Sequence, residues 1–161
     1  MDHMGTMSLE RLQEDGKVVI KISGNIDEDS NFTVQGFGSD GEITIDLEDV
    51  VSINSCGIRE WINWLKDSKQ VHLNFRNCPK VIIDQINMVS GFLPDNGKVE
   101  SFFVPYYSED SGEEKLILFR HGVDYTDGDV NAPEKIKDQE TGDELEIDVV
   151  ESKYFRFLTG K

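Results

Sequence analysis

Apolar and polar residues alternate over residues 17–24 (KVVIKISG), placing Val18, Ile20 and Ile22 on one side. They alternate again over 42–47 (EITIDL), where Ile43, Ile45 and Leu47 share a side. Period-two alternation of β-branched residues predicts strands. Residues 71–76 (VHLNFR), 99–107 and 115–120 predict three more. Between the second and third strands the period changes. Ile58, Trp61, Ile62 and Leu65 fall at i, i+3, i+4 and i+7, one stripe of an amphipathic helix over 57–68, with Arg59, Glu60, Asn63 and Lys66 opposite. A second helix is expected to open at Pro79 with Asn77 as a nearby cap, to turn Ile82, Ile83, Ile86 and Val89 inward, and to stop near Gly91. The polar stretch 25–41 predicts a loop with one helical turn over 30–34. Strands that alternate with helices up to residue 107 predict an α/β domain: a mixed β-sheet with helices packed against it.

Beyond Gly122 the pattern weakens, and only 145–150 (LEIDVV) and the aromatic 154–158 (YFRFL) are expected to be ordered, the latter docked on the core or exposed as a partner-binding hook. Charge marks the same region. The chain has 32 acidic and 16 basic residues, net −16, and residues 109–151 hold fifteen acidic against four basic side chains. These observations divide the chain into residues 1–7, a tag remnant or disordered N-terminus with Met1, Met4 and Met7; residues 8–107, the α/β domain; and residues 108–161, a small, β-rich acidic extension. Such a surface repels nucleic-acid phosphates and anionic lipid, so neither is an expected partner. Either the acidity is a solvated surface or it meets a basic protein. No apolar run is long enough to span a bilayer, no signal-peptide layout opens the chain, and two cysteines, Cys56 and Cys78, suit a reducing, cytoplasmic setting.

Residues 45–65 (IDLEDVVSINSCGIREWINWL) carry a more specific signal. A strand ending hydrophobic-Asp-Leu runs through a short loop into Asn54-Ser55-Cys56-Gly57, which opens the first helix, and the polar loop GNIDEDSNF (24–32) follows the first strand. In this order the motifs resemble the STAS domain of anti-sigma-factor antagonists, over about residues 16–107. The resemblance implies a non-catalytic bacterial protein-binding module whose contact turn includes Asn54, Cys56 and Gly57. It also implies a partner such as an anti-sigma factor or serine kinase, and makes Ser55 the candidate phosphoacceptor. Asn54 stands where the family has aspartate, and Cys56 where it has a hydroxyl residue. Ser55 therefore has two readings, a switch whose phosphate sits on helix N-terminal amides or a plain helix cap. The alternative function is a constitutive scaffold or transporter-associated module without a switch. Gly57 is expected to allow close packing or an unusual backbone angle. Cys56 is either a small apolar residue or, near a helix N-terminus, a reactive thiol.

The extension repeats a pattern. Residues 107–114 (YSEDSGEE) match 137–144 (KDQETGDE), with Gly112 and Gly142 in register and 26 residues between Ser111 and Asp138. The layout resembles a zinc ribbon that has lost its cysteines, its ligand positions taken by Ser108, Ser111, Asp138 and Thr141. Neutral hydroxyls are poor zinc ligands, so no metal or other cofactor is expected there. Unrelated Ser-Gly and Thr-Gly hairpin tips are the other reading, and magnesium or calcium on the acidic loops a third. Aromatic packing would hold such hairpins: Phe102, Phe103, Tyr106 and Tyr107 against Leu116, Leu118 and Phe119. No phosphate-binding loop or nucleophile elbow is present, His3, His72 and His121 are scattered, and His72 alternates outward. No catalytic residues are expected.

Overall fold

The computed structural model describes residues 6–32, 36–38 and 41–160. Strands β1 (Ser8–Glu14), β2 (Lys17–Ile26), β3 (Glu42–Ile53), β4 (His72–Arg76) and β5 (Gly97–Val99) form one sheet in that order. β1 is antiparallel to β2, and β2 through β5 are parallel. α1 (Ser55–Leu65) carries the chain from β3 to β4, and α2 (Lys80–Met88) from β4 to β5. The register sets Ile20, Ile45 and Phe75 side by side, and all three are buried. Their alternates Lys21, Asp46 and Arg76 lie on the opposite, polar face. The molecule is therefore mixed α/β.

Strand β1 has no counterpart among the strands expected from alternation. Its sequence, SLERLQE, is polar, as suits an antiparallel edge. It joins β2 through Asp15 and Gly16, both at positive φ (53° and 80°), the two-residue hairpin that Asp-Gly favours. Order also begins ahead of residue 8: Thr6 bridges to Asn25, and Met7 packs half-buried on the core. Met1, Met4 and His3 lie outside the described residues, and the helical turn expected over 30–34 falls partly outside them.

The helices differ from expectation in detail. α1 buries Gly57, Trp61, Trp64 and Leu65, while Ile58 and Ile62 are half-buried. Trp64 turns inward because Phe32 stacks on it at 4.8 Å and Phe37 meets it at the same distance. At α2, Pro79 occupies the cap position and Asn77 does not cap. Asn77 adopts a left-handed backbone (φ 54°) and donates from Nδ2 to Asp46.

The strand expected over 99–107 divides at Glu100. Residues Gly97–Val99 belong to the first sheet, whereas β6 (Ser101–Ser108) opens a second one. That sheet runs β10 (Lys135–Lys137), β11 (Glu144–Ile147), β6, β7 (Glu114–Arg120), all antiparallel. A ribbon of β8 (Tyr125–Thr126) and β9 (Asp129–Val130) and two short helices, α3 (Glu151–Tyr154) and α4 (Arg156–Thr159), complete the chain. More of the region beyond residue 122 is therefore regular than its pattern suggests. Phe102 lies at the centre of this half, with Phe119, Tyr125, Tyr154, Phe155 and Phe157 around it at 5.1–6.1 Å. The terminal aromatics are docked as the first of their two readings has it.

α2 joins the two halves. Asn87 donates to the Tyr154 carbonyl and accepts from the Phe157 amide, both at 2.9 Å. The Tyr125 hydroxyl donates to the Val99 carbonyl and that of Tyr154 to the Phe103 carbonyl, each at 2.6 Å. The buried apolar residues of both sheets form one continuous core.

Candidate functional site

β3 ends at Ile53, and the chain turns into α1 because the Asn54 amide donates to the Ile26 carbonyl at 3.1 Å. Asn54 is extended (φ −103°, ψ −179°), and its Oδ1 accepts from the Gly57 amide at 2.8 Å, which makes it the helix cap. The capping role offered for Ser55 thus belongs to its neighbour. Ser55 is the first helical residue, exposed, and its hydroxyl has no partner among the described residues. The amides of Ser55 and Cys56 are likewise without a protein acceptor there, as first-turn helix amides are. Arg59 lies exposed one turn along the same helix.

Gly57 is required by space. A Cβ on it would overlap the Ile26 carbonyl oxygen and stand 2.6 Å from the carbonyl carbon. Close packing, not a positive φ, accounts for this glycine. Cys56 is half-buried and Cys78 fully buried, both as free thiols, and burial pushes the Cys78 thiol well above its ordinary pKa.

The loop after β2 completes the surface. Glu28 accepts from Asn54 Nδ2 at 3.1 Å, and the hydrogen bond from its own amide first, then that from Asn54, holds its carboxyl below the usual range. Asp27 accepts the Asp29 amide at 3.0 Å, and the Asp27 amide donates to Ser30 Oγ at 2.9 Å, so the loop is pinned on itself. Ser52 Oγ donates to Asn25 at 2.6 Å between the ends of β3 and β2. Val51, 69% exposed, stands beside them. The resulting surface is acidic and lies beside the helix start that carries the unpartnered hydroxyl of Ser55. Sequence reasoning missed Glu28 as the partner of Asn54, because no short-range pattern links residues 26 positions apart.

The four ribbon positions lie in two turns built alike. In the first, the Ser108 amide donates to the Glu113 carbonyl and the Gly112 amide to the Ser108 carbonyl. In the second, the Asp138 amide donates to the Asp143 carbonyl and the Gly142 amide to the Asp138 carbonyl. Ser111 Oγ accepts from the Glu113 amide as Thr141 Oγ1 does from that of Asp143. Gly112 and Gly142 share a left-handed backbone, φ 73° and 78°. Pairing of β11 with β6 sets the two turns side by side, and Ser108 Oγ reaches Asp143 at 3.5 Å. Lys115 crosses from the first hairpin to the second, its ammonium 3.1 and 3.0 Å from the two oxygens of Asp138 and 3.4 Å from Glu140. The Glu140 amide first, then Lys115, holds the Asp138 carboxyl below its usual range. No group of three or more His, Cys, Asp or Glu among the described residues is arranged to hold a metal ion. Of the expected packing residues, Phe102, Tyr106 and Phe119 are buried and Phe103 and Tyr107 half-buried, whereas Leu116 is exposed because its side chain lies on the outer face of an edge strand.

One further polar cluster lies on the open face of the first sheet. Asp46, buried, accepts from Arg76 Nε at 2.8 Å, and the same guanidinium clamps Glu14 at 3.0 and 2.8 Å. This contact ties the β1–β2 hairpin tip to β4 and lowers the Glu14 pKa. His72 is exposed on β4, and His121 lies 3.6 Å from Asp127, on elements apart from Ser55. No helix among the described residues is long and apolar enough to cross a membrane. No protein-family model, curated protein or solved structure matches the chain.

Proposed function

We propose that the chain is a non-catalytic protein-binding module of the STAS type, acting in the cytoplasm and switched by phosphorylation of Ser55. The observation that carries this reading is the free hydroxyl of Ser55 at the first position of α1, left unoccupied because Asn54 caps the helix. A phosphate there adds a charge of about −1.5 to −2. It meets the free amides of Ser55 and Cys56 and the positive end of the helix dipole. Glu28 is bound to the neighbouring Asn54, so a phosphate on Ser55 adds negative charge beside that contact and changes the surface a partner would meet.

Other features support a binding role. The order strand, polar loop, strand, Asx-Ser-x-Gly turn, helix, strand, helix, strand is present, and neither Ser55 nor Cys56 has a base within hydrogen-bond reach among the described residues. The acidic second sheet is a ribbon-like pair of hairpins in which the Lys115 ammonium holds the turns together.

The test has two readouts: phosphate at Ser55 by mass spectrometry of the chain isolated from its own cells, and partner recovery by wild type, Ser55→Ala and Ser55→Glu. The switch predicts modified Ser55 and loss of a partner with glutamate but not alanine. Equal recovery by all three, with no phosphate at Ser55, replaces the switch with a constitutive scaffold.

A further inference from the structure

β7 is an edge of the second sheet, with β6 on one side only. The Ser108–Glu113 hydrogen bond fixes the alternation along the hairpin: residues 115, 117 and 119 turn their backbone groups toward β6, and 114, 116 and 118 turn theirs outward. At Arg120 the outward groups are already used. Its amide donates to Asp124, and its carbonyl accepts from the Val123 and Asp124 amides. The amides and carbonyls of Glu114, Leu116 and Leu118 have no partner among the described residues. The strand has no proline or bulge, and its one lysine is drawn to the inner face by Asp138, so the usual protections of an edge are missing.

The side chains on the same edge are self-complementary. Leu116, 52% exposed, and half-buried Leu118 lie on the outer face beside Pro105 and Phe103 of β6. Glu114 and Arg120, both exposed, stand at the two ends, and neither has an ion-pair partner among the described residues. Antiparallel pairing of this strand with a copy of itself, centred on Ile117, sets Leu116 opposite Leu118 twice and Glu114 opposite Arg120 twice. The outward backbone groups of 116 and 118 meet each other in that register. Shifting it by one residue brings outward groups against side-facing ones and separates the opposite charges.

We propose that β7 is an interface between two copies of this chain, which joins two four-stranded sheets into one of eight around a twofold axis. An apolar row, Pro105–Leu116–Leu118–Phe103, then crosses the interface in each direction. The overall charge of −16 repels at long range, but salt at about 0.15 M confines that repulsion to about 8 Å. The local Glu114–Arg120 pairs act within that distance.

Analytical ultracentrifugation of the full chain through the micromolar range, at physiological salt, tests the interface. The wild type is expected to rise from the 18.3 kDa of one chain toward twice that mass. Glu114→Arg and Arg120→Glu each place like charges opposite one another at both ends and weaken association about tenfold. Both positions are exposed, and far-UV circular dichroism checks that each variant stays folded. The double reversal Glu114→Arg/Arg120→Glu restores dimerisation, as does an equimolar mixture of the two single variants, in which every end pair is again opposite in charge. A wild type that stays at single-chain mass overturns the proposal. So does a dimer indifferent to both reversals, or one not rescued by mixing.

Discussion

Asn54 and Ser55 are both good capping residues, and their adjacency conceals which of them caps. The choice is made by the exit from β3, where the Asn54 amide is anchored on the Ile26 carbonyl and leaves the asparagine side chain over the helix end. Asn54→Ala is therefore expected to lose about 1 kcal/mol in urea unfolding, whereas Ser55→Ala stays within about 0.5 kcal/mol of wild type. Equal losses would return a capping role to Ser55 and remove the free hydroxyl on which the switch depends. The same carbonyl limits Gly57. Gly57→Ala drives a methyl into backbone that already holds Asn54, at a cost of about 1–3 kcal/mol. A neutral result in the same unfolding assay would mean that β2 and α1 separate more easily than their contact suggests. The glycine itself is legible in the sequence. The carbonyl that demands it, 31 positions earlier, is not.

At the scale of elements, alternation located β2, β3 and β4 because each has one buried and one polar face, whereas β7, apolar on both faces at its centre, showed as an apolar run bounded by turns. Alternation missed β1, an edge strand that is mostly polar and whose two leucines, Leu9 and Leu12, break the period of two, although Asp15-Gly16 before an alternating run is a hairpin signal in its own right. In the sequence β5 and β6 merge because the chain passes from one sheet to the next with a single residue, Glu100, between Val99 and the aromatic-rich β6. The paired turns were legible in their Gly-acid-acid repeats, but the lysine between them was not, since Lys115 lies on a strand 23 residues from Asp138. Folding lowers the Asp138 pKa beneath the value of about 3.9 for a free aspartate. Its stabilising share is thus complete above that value and is lost as the pH falls through the lower, folded-state value. Asp138→Asn should melt below wild type at neutral pH, with the difference closing as the solution is acidified beneath about pH 3.9. A difference that persists in acid would assign the effect to turn geometry instead of charge. Cysteines at 108, 111, 138 and 141 test the ribbon likeness directly. The fourfold variant should take up one cobalt ion with thiolate charge-transfer absorption, and the absence of such a spectrum would leave the turns alike in backbone only.

For the whole molecule, composition and charge divided the chain near residue 108, whereas packing does not divide it there. β6 contributes Phe102, Val104 and Tyr106 to the same core as Ile45 and Phe75, and α2 is held on one side by the first sheet and on the other by Tyr154 and Phe157. Charge is a property of the surface, so an acidic skin over one half carries no information about whether the interiors are continuous. The distribution of aromatics makes continuity measurable. Both tryptophans, Trp61 and Trp64, are in α1, and all four tyrosines lie beyond residue 100. Tryptophan emission excited at long wavelength therefore follows the first sheet, and second-derivative tyrosine absorbance follows the second. One cooperative core predicts that the two signals change together on heating or in urea, with one midpoint and one enthalpy. Tyr154→Phe removes the hydrogen bond to the Phe103 carbonyl and should lower stability by about 1 kcal/mol. In a shared core it moves both midpoints by the same amount, although the nearest tryptophan is in the other half. If the tyrosine transition moves alone, the second sheet unfolds by itself, and the boundary suggested by charge is also a boundary in folding.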